Sequence, residues 1–389
     1  MGAVGLAVFV QAFEITGSPA TLGLLGLVQF LAMVLGVLAG SAVVDHVDRR
    51  TLLLLTQIGF GLPVVTLLIG TLFGDPPMAL LYVASAFGSA VASLHFPTRT
   101  AMIQPVVERD ELTTAMTLET VAWTATMILG PIVGGAVLGW YGLAAVYAFG
   151  VACHAVSIVA MVPLRGQPPS REGEEGLGVA AIRRGFGYLR PRRVLKGLLW
   201  IDLIAMGFGM RRALFPVLAV EQFHRGPEAV GLLMAAIPAG ALIVSLTGNW
   251  LTNVRRQGVW LVVAASAWGA AIALFGLSGD HLWLALSLLA IGGGADIVAA
   301  ILRATIIQHE VPAPVRGRVW GINFLVLNGG PRLGDFTGGL AAAAWGATFS
   351  VVAGGLAAMG GTLLYALAEP ALPRYTTGDG VDPDEALVA

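Results

Sequence analysis

Eleven ionisable side chains lie inside stretches that are otherwise apolar: His95, Arg99, Glu119, His154, Asp202, Arg211, Arg212, Asp296, Arg303, Arg332 and Asp335. A charge placed in the middle of a membrane helix costs about 3 kcal/mol on insertion scales, so such groups face a cavity or a partner. Two kinds of chemistry follow. A carboxyl group held out of water favours its neutral form, and so can take up and release a proton. A guanidinium in the same setting holds an anion through its fork of N–H donors.

Asp202 and Asp296 lie one to two turns or more inside their apolar segments and are the candidates for a titratable coupling group, with a structural pair as the alternative. Glu119 is a third candidate. Arg211 and Arg212 lie far from either end of their segment and, as neighbours on a helix, point about 100° apart. They cannot share one environment. If one faces a cavity, an anionic or carboxylate-bearing substrate is favoured; a salt bridge to Glu14 is the competing account. Arg99 and Arg303 lie near helix ends and can snorkel to the interface, or line a cavity. Arg332 and Asp335 stand at i, i+3 and can neutralise each other. His154 is expected to be a packing residue.

Other chemistries lack their residues. The single cysteine, Cys153, excludes an internal disulfide and any CxxC cluster. No HExxH or GxSxG motif occurs, and no Walker A sequence G-x-x-x-x-G-K-S/T. No enzyme, metal or cofactor is expected, and a net charge of −1 argues against a nucleic-acid partner.

These side chains need helices long enough to carry them. The 389 residues are 57% hydrophobic and only 12% charged, against about 25% charged in soluble domains. Stretches such as Ile15–Val44, Thr120–Cys153 and Phe336–Ala368 contain no Asp, Glu, Lys, Arg or His and reach the roughly 20 residues that cross a bilayer. The sequence therefore predicts an all-α integral membrane protein. Its twelve helices fall near 2–16, 20–44, 51–73, 78–104, 113–138, 142–163, 195–220, 229–251, 258–278, 282–305, 318–342 and 345–368. The first is short, which suggests that the coding sequence begins upstream or that the chain is truncated.

If the 45–50 loop is cytoplasmic, sixteen Lys and Arg residues fall in inside loops and only Arg225 outside, a positive-inside bias that puts both termini in the cytoplasm. The expected organisation is a six-helix half over 1–164, a cytoplasmic linker over 165–194, a second half over 195–370 and a disordered acidic tail over 371–389. Within the linker, Leu177–Leu189 can form a helix along an anionic membrane surface, or remain solvated.

The two halves echo each other. Arg99-Thr-Ala-Met-Ile-Gln104 aligns with Arg303-Ala-Thr-Ile-Ile-Gln308 at an offset of 204, where Gly130, Gly134 and Gly135 also meet Gly334, Gly338 and Gly339. Pro19 and Gly23 match Pro227 and Gly231, and Gly40 matches Gly248. Paired six-helix halves are the architecture of rocking transporters, with substrate between them.

Gly40-Ser-Ala-Val-Val-Asp45-His-Val-Asp48-Arg49-Arg50 resembles the signature loop of the major facilitator superfamily, G-x-x-x-D-R-x-G-R-R, departing from it at Ser41, His46 and Asp48. Pro97-Thr-Arg99-Thr-Ala101 with Glu108-Arg-Asp-Glu-Leu112, and Gln308 through Pro312 to Arg316-Gly-Arg318-Val319, resemble segments of its macrolide-efflux and enterobactin-exporter branch. Gly130-Pro131-x-x-Gly134-Gly135 is similar to the end of the antiporter motif of drug exporters, with Thr126 in place of an upstream Gly.

The resemblance implies alternating access in the cytoplasmic membrane, an amphipathic small-molecule substrate, a proton as coupling ion and a monomer. It implies that Asp45, with Arg49 and Arg50, latches the cytoplasmic side, and that spans 7 and 10, which carry Asp202 and Asp296, line the central cavity. Gly130, Pro131, Gly134 and Gly135 either pack helices closely or bend span 5 where the halves slide. An uptake symporter of the same fold and a non-transporting membrane sensor are the alternatives.

Overall fold

The computed structural model describes residues 2–44, 47–103, 107–108, 110–164, 166 and 179–376; within them every regular element is a helix. Backbone N–H and C=O groups have no water to bond in hydrocarbon, so a membrane chain of this composition closes its hydrogen bonds inside helices. In order these are α1 (Gly2–Thr16), α2 (Pro19–Val44), α3 (Arg49–Leu72), α4 (Met78–Ile103), α5 (Leu112–Met161), α6 (Val179–Leu189), α7 (Arg193–Gly209), α8 (Phe215–Glu221), α9 (Pro227–Thr247), α10 (Gln257–Gly276), α11 (Leu282–Glu310), α12 (Ala313–Trp345) and α13 (Ala347–Ala368).

Among the described residues nine helical segments have the length and apolarity to cross a bilayer, α7 and α8 counting together. Three elements account for the difference from twelve. Helix α1 has 15 residues, and α12 carries Arg316, Arg318, Arg332 and Asp335. Helix α5 has 50 residues, about 75 Å at 1.5 Å per residue where a hydrocarbon core is about 30 Å thick, and it breaks at Gly142 (φ 81°, ψ 179°). Gly346, 204 residues on, has φ 89° and ψ 156° and separates α12 from α13. Positive φ suits a residue without a Cβ, so the same glycine makes the same turn in both repeats. The repeat reaches the helix starts too: α2 and α9 begin at Pro19 and Pro227, α4 and α11 at Met78 and Leu282.

The helices gather into two compact units, Met1–Val179 with Arg225–Ala235, and Ala180–His224 with Ala236–Ala389. In the first, α2 packs on α4, and α5 on α1 and α3. In the second, α10 packs on α11 and α13, and α7 on α12 and α13, around the fully buried Trp268 and Phe275.

The linker helix meets protein, and one expectation changes. Helix α6 docks on protein: Gly185 lies against Arg318 and Ile322 of α12, and the Tyr188 hydroxyl is 3.5 Å from the Glu310 carbonyl. The span expected to be continuous over 195–220 is interrupted. Helix α7 ends at Gly209, Met210 and Arg211 are non-helical, and a 3-10 turn over Arg212–Leu214 leads into α8.

Candidate functional site

Helices α7 and α11 bring three of the singled-out residues together. Asp296 and Arg303 are seven residues apart on α11, two turns along one face, and Asp202 comes from the facing side of α7. All three line one small space with Trp268, Ala205 and Ala299. The Arg303 Nη1 and Asp202 Oδ1 form a buried ion pair with side-chain exposures of 5% and 4%. Arg303 therefore does not snorkel: its partner is a buried carboxylate 101 residues earlier. Asp202 Oδ2 accepts no hydrogen bond from a described group. The space measures about 10 Å³, close to the lower limit for one water. Behind it the Trp268 indole N–H donates to the Ala205 carbonyl at 3.1 Å, fixing the wall.

The helix interruption positions Arg211 and Arg212 differently, as neighbouring residues require: Arg211 is buried at 6% exposure and Arg212 is exposed. An interrupted helix leaves N–H groups that must find acceptors at membrane depth. Asp335 supplies one, its Oδ1 accepting from Ala213 N–H at 2.9 Å. The Arg211 Nη1 donates to the Gly334 carbonyl at 3.3 Å and the Thr337 hydroxyl at 3.4 Å. Gly338 and Gly354 flank this side chain, and a Cβ on either would come within 2.5 Å of the guanidinium. Arg332 donates to the Asn328 carbonyl.

In the first unit Arg99 of α4 pairs with Glu119 of α5 at 3.0 Å, with exposures of 32% and 26%, and lies 5.7 Å from the centre of the Trp123 ring. These two candidates meet each other. Beside them is a cavity of about 240 Å³ lined by Gln57, His95, Trp123, Cys153 and His154 among others. His154 is not a solitary packing residue: its Nδ1 is 3.1 Å from Gln57 Oε1, and its ring stacks 6.0 Å from Phe60. Gln57 and Trp123 do not stand out in the sequence. An uncharged amide and an indole carry no signal in a hydrophobic helix until their neighbours are known.

Gly130, Pro131, Gly134 and Gly135 act as contact surfaces. A Cβ on Gly134 would come within 2.6 Å of Ala3 Cα, one on Gly130 within 3.4 Å of Gly2, and one on Gly135 within 2.8 Å of the Pro227 carbonyl oxygen. A Cβ on Gly40 would overlap Leu94 of α4. Arg49 and Arg50 open α3, which Asp48 caps by accepting from Thr51 N–H at 3.0 Å. Arg50 Nη2 donates to the Val162 carbonyl at 2.6 Å. Asp45 lies outside the described residues.

The model of the Major Facilitator Superfamily matches residues 1–334. The chain is similar to the enterobactin exporter EntS of Citrobacter koseri, 26% identical over 323 residues that cover 83% of this chain and 77% of that protein. EntS of Shigella boydii serotype 18 is 27% identical over the same shares. Among solved structures, the nucleoside transporter NupG aligns with a TM-score of 0.69 at 14% identity, covering 96% of this chain and 95% of its own. A bacterial homolog of the human lysosomal transporter Spinster, inward-facing and unoccupied, aligns with a TM-score of 0.68 at 16% identity, covering 97% and 96%. At these identities the solved structures speak for the fold.

Proposed function

The chain belongs to the Major Facilitator Superfamily, and from that premise we propose that it exports an amphipathic small molecule, drug-like or siderophore-like, in exchange for protons. Alternating access around a site between two six-helix halves is the general mechanism of such folds. The reading places twelve spans in the cytoplasmic membrane with both termini inside, halves over 1–164 and 195–370, a linker over 165–194 and an acidic tail over 371–389, in a monomer. Asp45 with Arg49 and Arg50 serves as the cytoplasmic latch. Export and a siderophore-like cargo are supported by the relatives named as enterobactin exporters.

The observation that carries proton coupling is the buried Asp202–Arg303 pair with Asp296 on the same small space. Among the residues lining the space, two carboxylates and one guanidinium leave one negative charge when all are ionised, with Arg212 acting on Asp296 from outside that lining. One proton cancels it, and a site that is neutral when loaded crosses a low-dielectric barrier at less cost than a charged one. Asp296 is the group that takes the proton, since Asp202 is already engaged by Arg303.

The test is energised accumulation of dyes, macrolides and siderophores in an efflux-deficient bacterium expressing the full-length protein or its Asp296→Asn variant. The expected result is accumulation lowered at least about 5-fold by the wild type, restored by a protonophore, and not lowered by the variant at equal membrane abundance. Accumulation unchanged for every compound overturns export. Wild-type export that survives the protonophore, or an Asp296→Asn variant that exports as well as wild type, overturns the coupling role.

A further inference from the structure

From Val179 to Lys196 the chain carries six basic residues and no acidic one, a run that has no part in the coupling site. Its first eleven residues form α6. Only three residues separate α6 from α7, which opens a segment long and apolar enough to span. The groups that α6 meets, Glu310 and Arg318, stand at the last residue of α11 and near the first of α12. Helix α6 therefore lies at the depth of the headgroups, a layer of about 5–8 Å beyond the hydrocarbon on each side.

The two faces of this helix differ. Gly185, Tyr188 and Leu189 stand at i, i+3 and i+4 on one of them. That face is docked: a Cβ on Gly185 would come within 2.8 Å of Ile322 Cδ1, and Leu189 is 3% exposed. Arg183, Phe186, Gly187 and Arg190 stand at i, i+3, i+4 and i+7 on the other, and all four are exposed. A Cβ on Gly187 would meet nothing within 4 Å, so the surface between the two arginines is bare backbone.

Contacts within the protein account for the neighbouring cations but not for these. Arg192 Nη1 donates to the Tyr188 carbonyl at 2.8 Å, and its guanidinium lies 3.5 Å from the centre of the Tyr188 ring. Arg193 pairs with Glu369 at 3.5 Å. Arg183 and Arg190 have no ion-pair partner among the described residues, and Phe186 between them is 55% exposed. A ring flanked by cations one turn away on each side is poorly suited to water alone. At a membrane surface the ring enters the acyl boundary while the guanidinium forks stay level with phosphate oxygens, which they match in geometry.

We propose that the outer face of α6 binds anionic phospholipid, with Phe186 in the acyl boundary and Arg183 and Arg190 on the phosphate oxygens. Only the assignment of this face to the cytoplasmic leaflet rests on the transport reading. The lipid is chosen over the acidic residues Asp379, Asp382, Asp384 and Glu385 because a carboxylate partner leaves the Phe186 ring without a role.

The full chain in detergent is titrated with phosphatidylglycerol and with zwitterionic phosphatidylcholine, and bound lipid is counted by native mass spectrometry. Each basic residue near an anionic surface is worth about 5-fold in binding, so wild type is expected to prefer phosphatidylglycerol at least about 10-fold. Arg183→Gln with Arg190→Gln is expected to remove most of that preference. Phe186→Ser is expected to weaken phosphatidylglycerol binding as well, which charge alone does not predict. Arg255→Gln with Arg256→Gln, which takes the same charge from the exposed turn before α10, is expected to cost much less.

Equal affinity for the two lipids, a preference undiminished in the Arg183 and Arg190 variant, an equal loss from the Arg255 and Arg256 variant, or wild-type binding by Phe186→Ser would each overturn the proposal. Lipid preference that emerges only after deletion of residues 377–389 would assign the face to the acidic tail and overturn it too. Dye efflux is measured with the same proteins. Efflux without lipid preference removes this site and leaves the exporter reading, and lipid preference without efflux does the reverse.

Discussion

Arg99 and Arg303 occupy the same place in the two repeats, on α4 and α11, yet they are built into opposite environments. Arg99 is about one-third exposed, pairs with Glu119 on α5 and borders a cavity of about 240 Å³. Arg303 is 5% exposed, pairs with Asp202 on α7 and borders a space of about 10 Å³ that it shares with Asp296. The divergence has a residue-level cause. The repeat offset that takes Arg99 to Arg303 takes Glu119 to Asn323, so α12 offers no acid at that position and Arg303 pairs instead with Asp202 of α7. Asn323 is itself buried, with its Oδ1 unpartnered among described groups. One scaffold thus yields an open pair beside a larger cavity and a closed pair beside a second carboxylate. Duplication conserved the cation and left its partner to vary.

The sharpest way to break this comparison is to remove one member of each pair. Losing one partner of a buried pair strands the other charge in a low dielectric, at about 3–5 kcal/mol. Arg303→Gln, which leaves two carboxylates on the space without their cation, is expected to lower the thermal unfolding midpoint in detergent strongly, and Asp202→Asn, which leaves Arg303 beside Asp296, to lower it less. The double variant, which leaves no stranded charge at the pair, is expected to recover much of the loss. Adding Asn323→Glu to Asp202→Asn gives Arg303 the partner that Glu119 gives Arg99, and is expected to recover stability too. Single variants that melt like wild type would show that the two arginines do not differ in the way described.

A smaller effect is expected where the second repeat has Asp335 and the first has Pro131. Asp335 accepts from Ala213 N–H at the interruption between α7 and α8. Asp335→Leu leaves that buried donor without its acceptor, at about 1–3 kcal/mol. Asp335→Asn keeps an oxygen in place and is expected to cost less than about 1 kcal/mol. Equal melting losses for the two variants would mean that the carboxylate's charge, rather than its acceptor oxygen, holds the interruption.

How much of this can be read from the chain itself follows from the range of the interactions. Helix positions rest on local apolar runs, and Gly142 and Gly346 repeat at the same offset as the arginines, so the architecture is readable from one sequence. Asp202, Arg303 and Asp296 stand out individually because a charge in an apolar run is conspicuous. Their meeting does not, since it depends on how α7 packs beside α11, 101 residues away. The interruption at Met210–Arg211 is hidden for a related reason. Hydropathy does not distinguish a continuous apolar helix from one whose freed N–H finds a carboxylate on another helix. His154 reads as a packing residue because Gln57, its partner across 97 residues, carries no charge.

The smallest expected effect is the most discriminating. Arg99→Gln removes the cation that the repeat makes equivalent to Arg303, but from a pair about one-third exposed, and exposed pairs contribute about 0–1 kcal/mol. The Trp123 contact at 5.7 Å adds at most a comparable amount at such a site. The expected shift in melting midpoint is therefore a small fraction of that for Arg303→Gln, measured side by side in the same detergent. A drop as large as that for Arg303→Gln would mean that Arg99 is as desolvated as its counterpart, and the two repeats would then hold one kind of charge site rather than two. A drop near zero, with Arg303→Gln severe, would place the structural work of the repeated arginine in the second unit, leaving the first free to present its arginine at the edge of a cavity.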